Sequence, residues 1–196
     1  MKAHFLRRPH GATELLADAV RVLGLVGVLV AWVWWQPTDA GIAALALPAL
    51  VVPRFLGVRG SADLVSGLVV LVAAWSNVLD LYRTVVGWDL LVHFACTAVL
   101  AAWAYLALAH VGIVPARGAA GFSTAGALVL TTALGLALSV VWEVIEWAGW
   151  RFVSDAIFVT YEDTIGDMVV GGLGAAVAGL LLGRVRLLRD PVEEPA

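Results

Sequence analysis

Three pairs of side chains in this 196-residue chain have the types and spacings that chemistry needs. Asp89 and His93 stand at i and i+4 in WDLLVHF, Glu143 and Glu146 at i and i+3 in SVVWEVIEWAGW, and Asp163 and Asp167 at i and i+4 in YEDTIGDM. Residues three or four apart share one face of a helix, so each pair points one way. Together they offer five carboxylates and one imidazole. Such a set is a ligand shell for a divalent cation. Oxygen donors with one nitrogen suit zinc, manganese, iron, magnesium or calcium alike. Asp89, His93, Glu143, Glu146, Asp163 and Asp167 are therefore the candidate metal ligands. Carboxylates in apolar surroundings also serve as general acids and bases.

The elements that must carry these pairs are unusually apolar. The chain is 62% hydrophobic and only 14% charged, with a mean hydropathy of +0.94. A soluble domain carries about a quarter charged residues, so this composition belongs to a polytopic membrane protein. A bilayer core needs about 20 apolar residues per helix. Six stretches qualify or nearly do: 17–35, 42–56, 64–79, 88–109, 122–150 and 164–188. The expected fold class is all-α, a bundle of six transmembrane helices. Its organisation reads as an N-terminal segment 1–16, one membrane domain 17–188 and a short tail 189–196. The second stretch is short and holds Pro48 and Pro53, which predicts a kinked or partly re-entrant segment. The first apolar run ends in AWVWWQ. Bulky tryptophans suit a retained helix better than a signal cleavage site.

Six spans leave both termini on one side. That side collects Lys2, Arg7, Arg8, Arg21, Arg54, Arg59, Arg117, Arg184, Arg186 and Arg189, ten of the twelve basic residues, and Arg83 and Arg151 fall opposite. Positive residues stay cytoplasmic, so both termini are expected in the cytoplasm of a bacterial inner-membrane protein. The basic residues thus speak of orientation, and no nucleic-acid partner is implied. All three pairs then lie at one depth, near the outer face. An acid at a helix centre costs about 2.5–3.5 kcal/mol on insertion scales, and crowded acids repel. Bound cations, shared protons or water in an outward-open cavity must compensate.

Each residue also has a plainer role to weigh. Asp89 and Asp163 suit helix N-caps. A lone His93 is commonly a satisfied core histidine. The tryptophans at 32, 34, 35, 75, 88, 142, 147 and 150 read first as an interfacial belt. Glu143 and Glu146 resist such explanations, because a helix C-terminus disfavours anions. Asp167 lies a turn inside its helix, beyond capping range. These three are the candidate catalytic residues. Other metal chemistries fit the sequence less well. Cys96 is the one cysteine, so neither an intrachain disulfide nor a cysteine zinc site can form. A dinuclear carboxylate bundle needs two Glu-x-x-His pairs. Bis-histidine haem likewise needs a second histidine at this depth.

Small residues predict how the helices meet. Gly171, Gly174, Ala175 and Ala178 follow Asp167 at helical spacing, and Gly135 and Ser139 precede Glu143 on its face. Smooth faces let helices approach closely. Contact between the fifth and sixth spans would bring Glu143 to Asp167.

The order WDLLVHF, WEVIEW, DTIGDM resembles the YjdF-type family of bacterial inner-membrane proteins over residues 75 to 180. The resemblance carries onto Asp89, His93, Glu143, Glu146, Trp147, Asp163, Thr164, Asp167 and Met168. The order is more loosely similar to VanZ-like membrane proteins, associated with glycopeptide tolerance. There the second segment usually ends in glutamine and an asparagine follows the last aspartate, where this chain has Glu146 and Gly171 or Gly172. Neither resemblance implies a mechanism.

Three classes of function fit these residues. The first is a one-sided centre that holds a divalent metal ion as its cofactor and acts on a lipid or lipid-linked headgroup in the bilayer. The second is a cation- or proton-coupled transporter, against which stand the lack of an inverted repeat and the sparse polar residues of the inner half. The third is a membrane scaffold whose cluster is a structural polar network.

Overall fold

The computed structural model describes residues 2–155 and 157–189, so most of the expected tail lies outside the described residues. The described chain is helical: α1 (Lys2–Leu6), α2 (Ala12–Trp34), α3 (Pro37–Leu56), α4 (Gly60–Val78), α5 (Leu81–Thr84), α6 (Trp88–His110), α7 (Thr124–Phe152) and α8 (Tyr161–Arg184). Six of these, α2, α3, α4, α6, α7 and α8, are long and apolar enough to cross a membrane. Their outer surfaces are covered with large apolar side chains such as Leu23, Val33, Val129 and Leu173. Water would make that surface costly, whereas lipid tails match it.

The helix boundaries have local causes. In α3, Pro37 opens the helix, the Gln36 side chain and Asp39 form a reciprocal cap, and Gly57 stops it in a left-handed conformation at φ 71°. The second span, expected to be kinked or partly re-entrant, is one helix of 20 residues with Pro48 and Pro53 inside it. Membrane helices tolerate proline where neighbouring helices supply the missing contacts. Here α2 lies along α3, with Gly24 against Leu50. The first span starts at Ala12 rather than 17, and the last ends at Arg184 rather than 188. Beyond Arg184 the backbone is extended and joins the α3–α4 connection. Leu188 bridges Val58 in antiparallel fashion, the Arg59 N–H donates to the Leu187 carbonyl and the Arg189 N–H to that of Gly57.

The helices form two trios. In the first, α2, α3 and α4 pack around Val20, Leu50 and Val70. In the second, α8 lies between α6 and α7, in extensive contact with both. The predicted small faces make that contact. A Cβ on Gly135 would overlap that of Ala175, and one on Gly174 would strike the Phe94 backbone carbonyl. The α6–α7–α8 trio closes at one end over a core of Trp103, Tyr105, Leu106, Ala127 and Leu182, joined by Leu56 and Val58. Arg189 lies 3.4 Å from Glu14, so both ends of the described chain share that end of the bundle.

Candidate cation site

At the other end of the second trio, three helix termini bring the sequence-predicted pairs together. Asp89 and His93 occupy the first turns of α6, Asp163 and Asp167 those of α8, and Glu143 and Glu146 lie toward the end of α7. The glycine contacts between α7 and α8 make the close approach possible, as the small faces predict.

His93 is the hub. Its Nε2 lies 3.4 Å from Asp89 Oδ1 and 3.7 Å from Asp167 Oδ2. One ligand atom from each of Asp89, His93 and Asp167 falls within 4.8 Å of the others, and the same holds for His93, Glu143 and Glu146. The two sets share only the imidazole. Asp163 belongs to neither set. Its carboxylate still lies within electrostatic range of Asp89 and His93.

The capping roles weighed for Asp89 and Asp163 are not the ones they take. Gly87 precedes α6, with no side-chain cap. Thr160 caps α8 by accepting from the Asp163 backbone N–H at 3.3 Å. Both aspartates sit instead in the first turn, where the positive helix end favours an anion. Asp167 is 2% exposed. Its Oδ1 and the Oε1 of buried Glu143 lack a hydrogen-bond partner. Buried carboxylate oxygens without a partner call for a proton, a water or an ion to meet them. Among the described residues, His93 is the basic group in the cluster's ion pairs. Arg83 pairs with Asp80 at 3.2 Å, and the Arg151 guanidinium lies over the Phe152 ring.

Several contributors escaped the sequence reading. Tyr82, in the short α5, donates to the Ala73 carbonyl at 2.8 Å. Burial, then the nearby Cys96, Asp89 and Glu146, push its phenol above the usual range, so it stays a neutral donor beside the cluster. Trp88 donates to Ser76 Oγ at 2.8 Å and ties the start of α6 to α4, a role beyond that of a belt residue. Below Glu143, the buried residues of α7 are Ser139, Gly135, Thr131 and Ala127, at intervals of four. The hydroxyls of Ser139 and Thr131 are buried without a partner. That period-four run of small and hydroxyl residues, together with Thr97 one turn beyond His93, was the available signal.

The family described as "Predicted membrane protein (DUF2238)" matches residues 19–188, which include every residue of this cluster. No curated protein matches the chain, and no solved structure does.

Proposed function

The chain belongs to the DUF2238 family of predicted membrane proteins, and from that premise we propose that it is a one-sided membrane centre. In this reading the carboxylate–histidine cluster binds a divalent cation and acts on a lipid or lipid-linked headgroup. The observation that carries the reading is the sharing of His93 by two ligand sets, each with a buried carboxylate oxygen that has no partner. Asp89, His93 and Asp167 would hold the cation, and Glu143 lies in the second set that shares His93. A bound divalent cation supplies a Lewis acid that activates water or polarises a phosphoryl oxygen. Glu146 would hold or accept a proton beside it. The order of the three motifs supports reading the chain as similar to YjdF-type proteins. The arginine-rich end faces the cytoplasm by the positive-inside rule, which puts the cluster at the outer leaflet of a bacterial inner membrane.

A second reading, cation or proton transport, draws support from the hydroxyls of Ser139 and Thr131, which continue inward from Glu143. The apolar core of Trp103, Leu106, Ala127 and Leu182 lies across that route. It favours the one-sided centre.

Metal analysis of the purified protein after cation loading tests the proposal. The wild type is expected to retain a divalent ion, and Glu143→Ala and Asp167→Ala to lose it. A folded wild type that retains no more metal than either variant would overturn it. Cation uptake into proteoliposomes, abolished by Thr131→Val, would promote transport in its place.

A further inference from the structure

A second charged region lies at the opposite end of the molecule. It is built from the two ends of the described chain and the α3–α4 connection. Asp63 and Asp18 are held by Arg21, and Asp18 also meets Arg54 at 3.2 Å. The Arg54 side chain donates to the Phe5 and Arg7 carbonyls. Two arginines and two aspartates thus balance one another.

Beside this balanced set is a cleft of about 460 Å³ lined by Arg7, Thr13, Glu14, Arg59, Gly60, Ser61 and Arg189. Its charges do not balance. Among the described residues, three guanidiniums face one carboxylate, which leaves two positive charges. Glu14 is already shared: it accepts from Arg7 Nη2 at 3.1 Å and from the His10 backbone N–H at 2.8 Å, and lies 3.4 Å from Arg189 Nε. The Arg189 side chain is 7% exposed, yet none of its three guanidinium nitrogens makes a hydrogen bond. A buried cationic fork with unused donors is costly unless an anion meets it. Arg59 is exposed at the rim.

The backbone adds to this. The helix α4 begins at Gly60 with no side-chain cap, so its positive end opens on the cleft through Gly60 and Ser61. Gly60 has to be glycine, because a Cβ there would lie 2.6 Å from Thr13 Oγ1 and 2.7 Å from Glu14 Cγ. The close approach of α2 to α4 brings a helix N-terminus, two hydroxyls and three guanidiniums around one space. Helix N-termini and planar guanidinium forks both suit tetrahedral oxyanions.

We infer that this cleft is a binding site for a phosphate group, held by Arg7, Arg59 and Arg189 and by the amino-terminal end of α4. The group is carried either by an anionic phospholipid headgroup or by a free phosphate. The site is separate from the carboxylate–histidine cluster and does not rest on the reading given to that cluster.

Two probes test it on the full chain. Inorganic phosphate is titrated by calorimetry into protein held in phosphatidylcholine nanodiscs. Retention of phosphatidylglycerol is measured in mixed nanodiscs by mass spectrometry. Arg59→Glu, at the exposed rim, is expected to weaken binding by about tenfold, the loss of one charge-assisted contact. Ser61→Asp serves as a second variant, since an acid in the first turn stabilises α4 while occupying the anion's place. Phosphate binding that both variants weaken assigns the site to free phosphate. Binding seen only with phosphatidylglycerol, and weakened likewise, assigns it to lipid. Absence of both, or binding that neither variant changes, overturns the inference and leaves the cleft as the edge of an ion-pair network.

Discussion

The two ends of this bundle bury charge in opposite ways. At the end shared by the termini, Asp18 and Asp63 meet Arg21 and Arg54 directly. At the other end, Asp89, Glu143, Glu146 and Asp167 gather around a single imidazole, with Asp163 within electrostatic range. The first region is largely satisfied within the chain. Among the described residues, the second has more carboxylates than its one imidazole can pair. A polar cluster in an apolar bundle therefore reads differently according to its balance: paired charges point to architecture, and unpaired ones to a ligand. Arg189 applies the same rule within the first region, where its buried guanidinium, without a hydrogen bond among the described residues, lies beside the cleft.

The largest expected effect breaks the balanced end. Asp63 is 2% exposed and pairs with Arg21. Asp63→Asn keeps the shape but leaves the half-buried Arg21 guanidinium short of a counter-charge, and is expected to cost about 3 kcal/mol. Thermal unfolding in detergent would show this as a lowered midpoint. An unchanged midpoint would mean that Asp18 alone satisfies Arg21, and the two ends would differ less than their geometry suggests.

A smaller effect is expected at the helix contact that assembles the other end. Gly135 faces Ala175, with Thr97 and Ala101 beside it. Gly135→Val is expected to cost about 2 kcal/mol through overpacking. It should also weaken cation retention, because α7 is pushed away from α8 and Glu143 from His93. Lost stability with cation retention intact would separate the cluster from this packing contact.

That contact was legible in the sequence, and its neighbour was not. Gly135, Ser139, Gly171 and Ala175 lie on matching small faces, so an α7–α8 interface followed from spacing alone. The six spans and the three polar pairs were legible for the same reason, since helical periodicity and apolar length are local properties. The equally extensive α6–α8 contact rests on Gly174 meeting a backbone carbonyl at Phe94. Every residue has a carbonyl, so no side-chain pattern marks the partner. Arg21 and Asp63 are 42 residues apart, and their pairing depends on how α2 and α4 align. The bridge of Leu188 to Val58 was hidden by composition, because VRLL at 185–188 is apolar enough to read as more helix.

The sign of the response should reverse at the unbalanced end. Asp167→Asn removes one of several crowded carboxylates while keeping its shape. In chelator-treated protein it is expected to raise stability by about 1 kcal/mol, because like charges are relieved. With divalent cation added, the wild type should gain stability and the variant should not. Opposite signs for Asp63→Asn and Asp167→Asn would establish the contrast between the two ends by a single kind of substitution. Destabilisation by both, with no response to cation, would make the cluster a structural network.

The smallest effect concerns His4, which sits in a positive field where His93 sits among acids. His4 packs over Gly57 at the arginine-rich end; a Cβ on Gly57 would lie 2.9 Å from its Nδ1. Partial burial comes first, and then the positive charge of the amino terminus, His110, Arg189 and Arg7, in holding its pKa below the ordinary 6.5. The neutral ring is therefore the form the folded chain prefers. Its contribution is fully present above 6.5 and is lost as pH falls from there through the lowered folded value. Because the ring is largely solvated, the change should be confined to the docking of α1 on α3. Hydrogen exchange of the Lys2–Leu6 amides is expected to quicken between about pH 7.5 and 5.5, beyond the intrinsic rate change, and His4→Gln should remove that dependence. A variant that keeps the same pH response would assign it to another group at this end. The positive field would then have no measurable hold on α1.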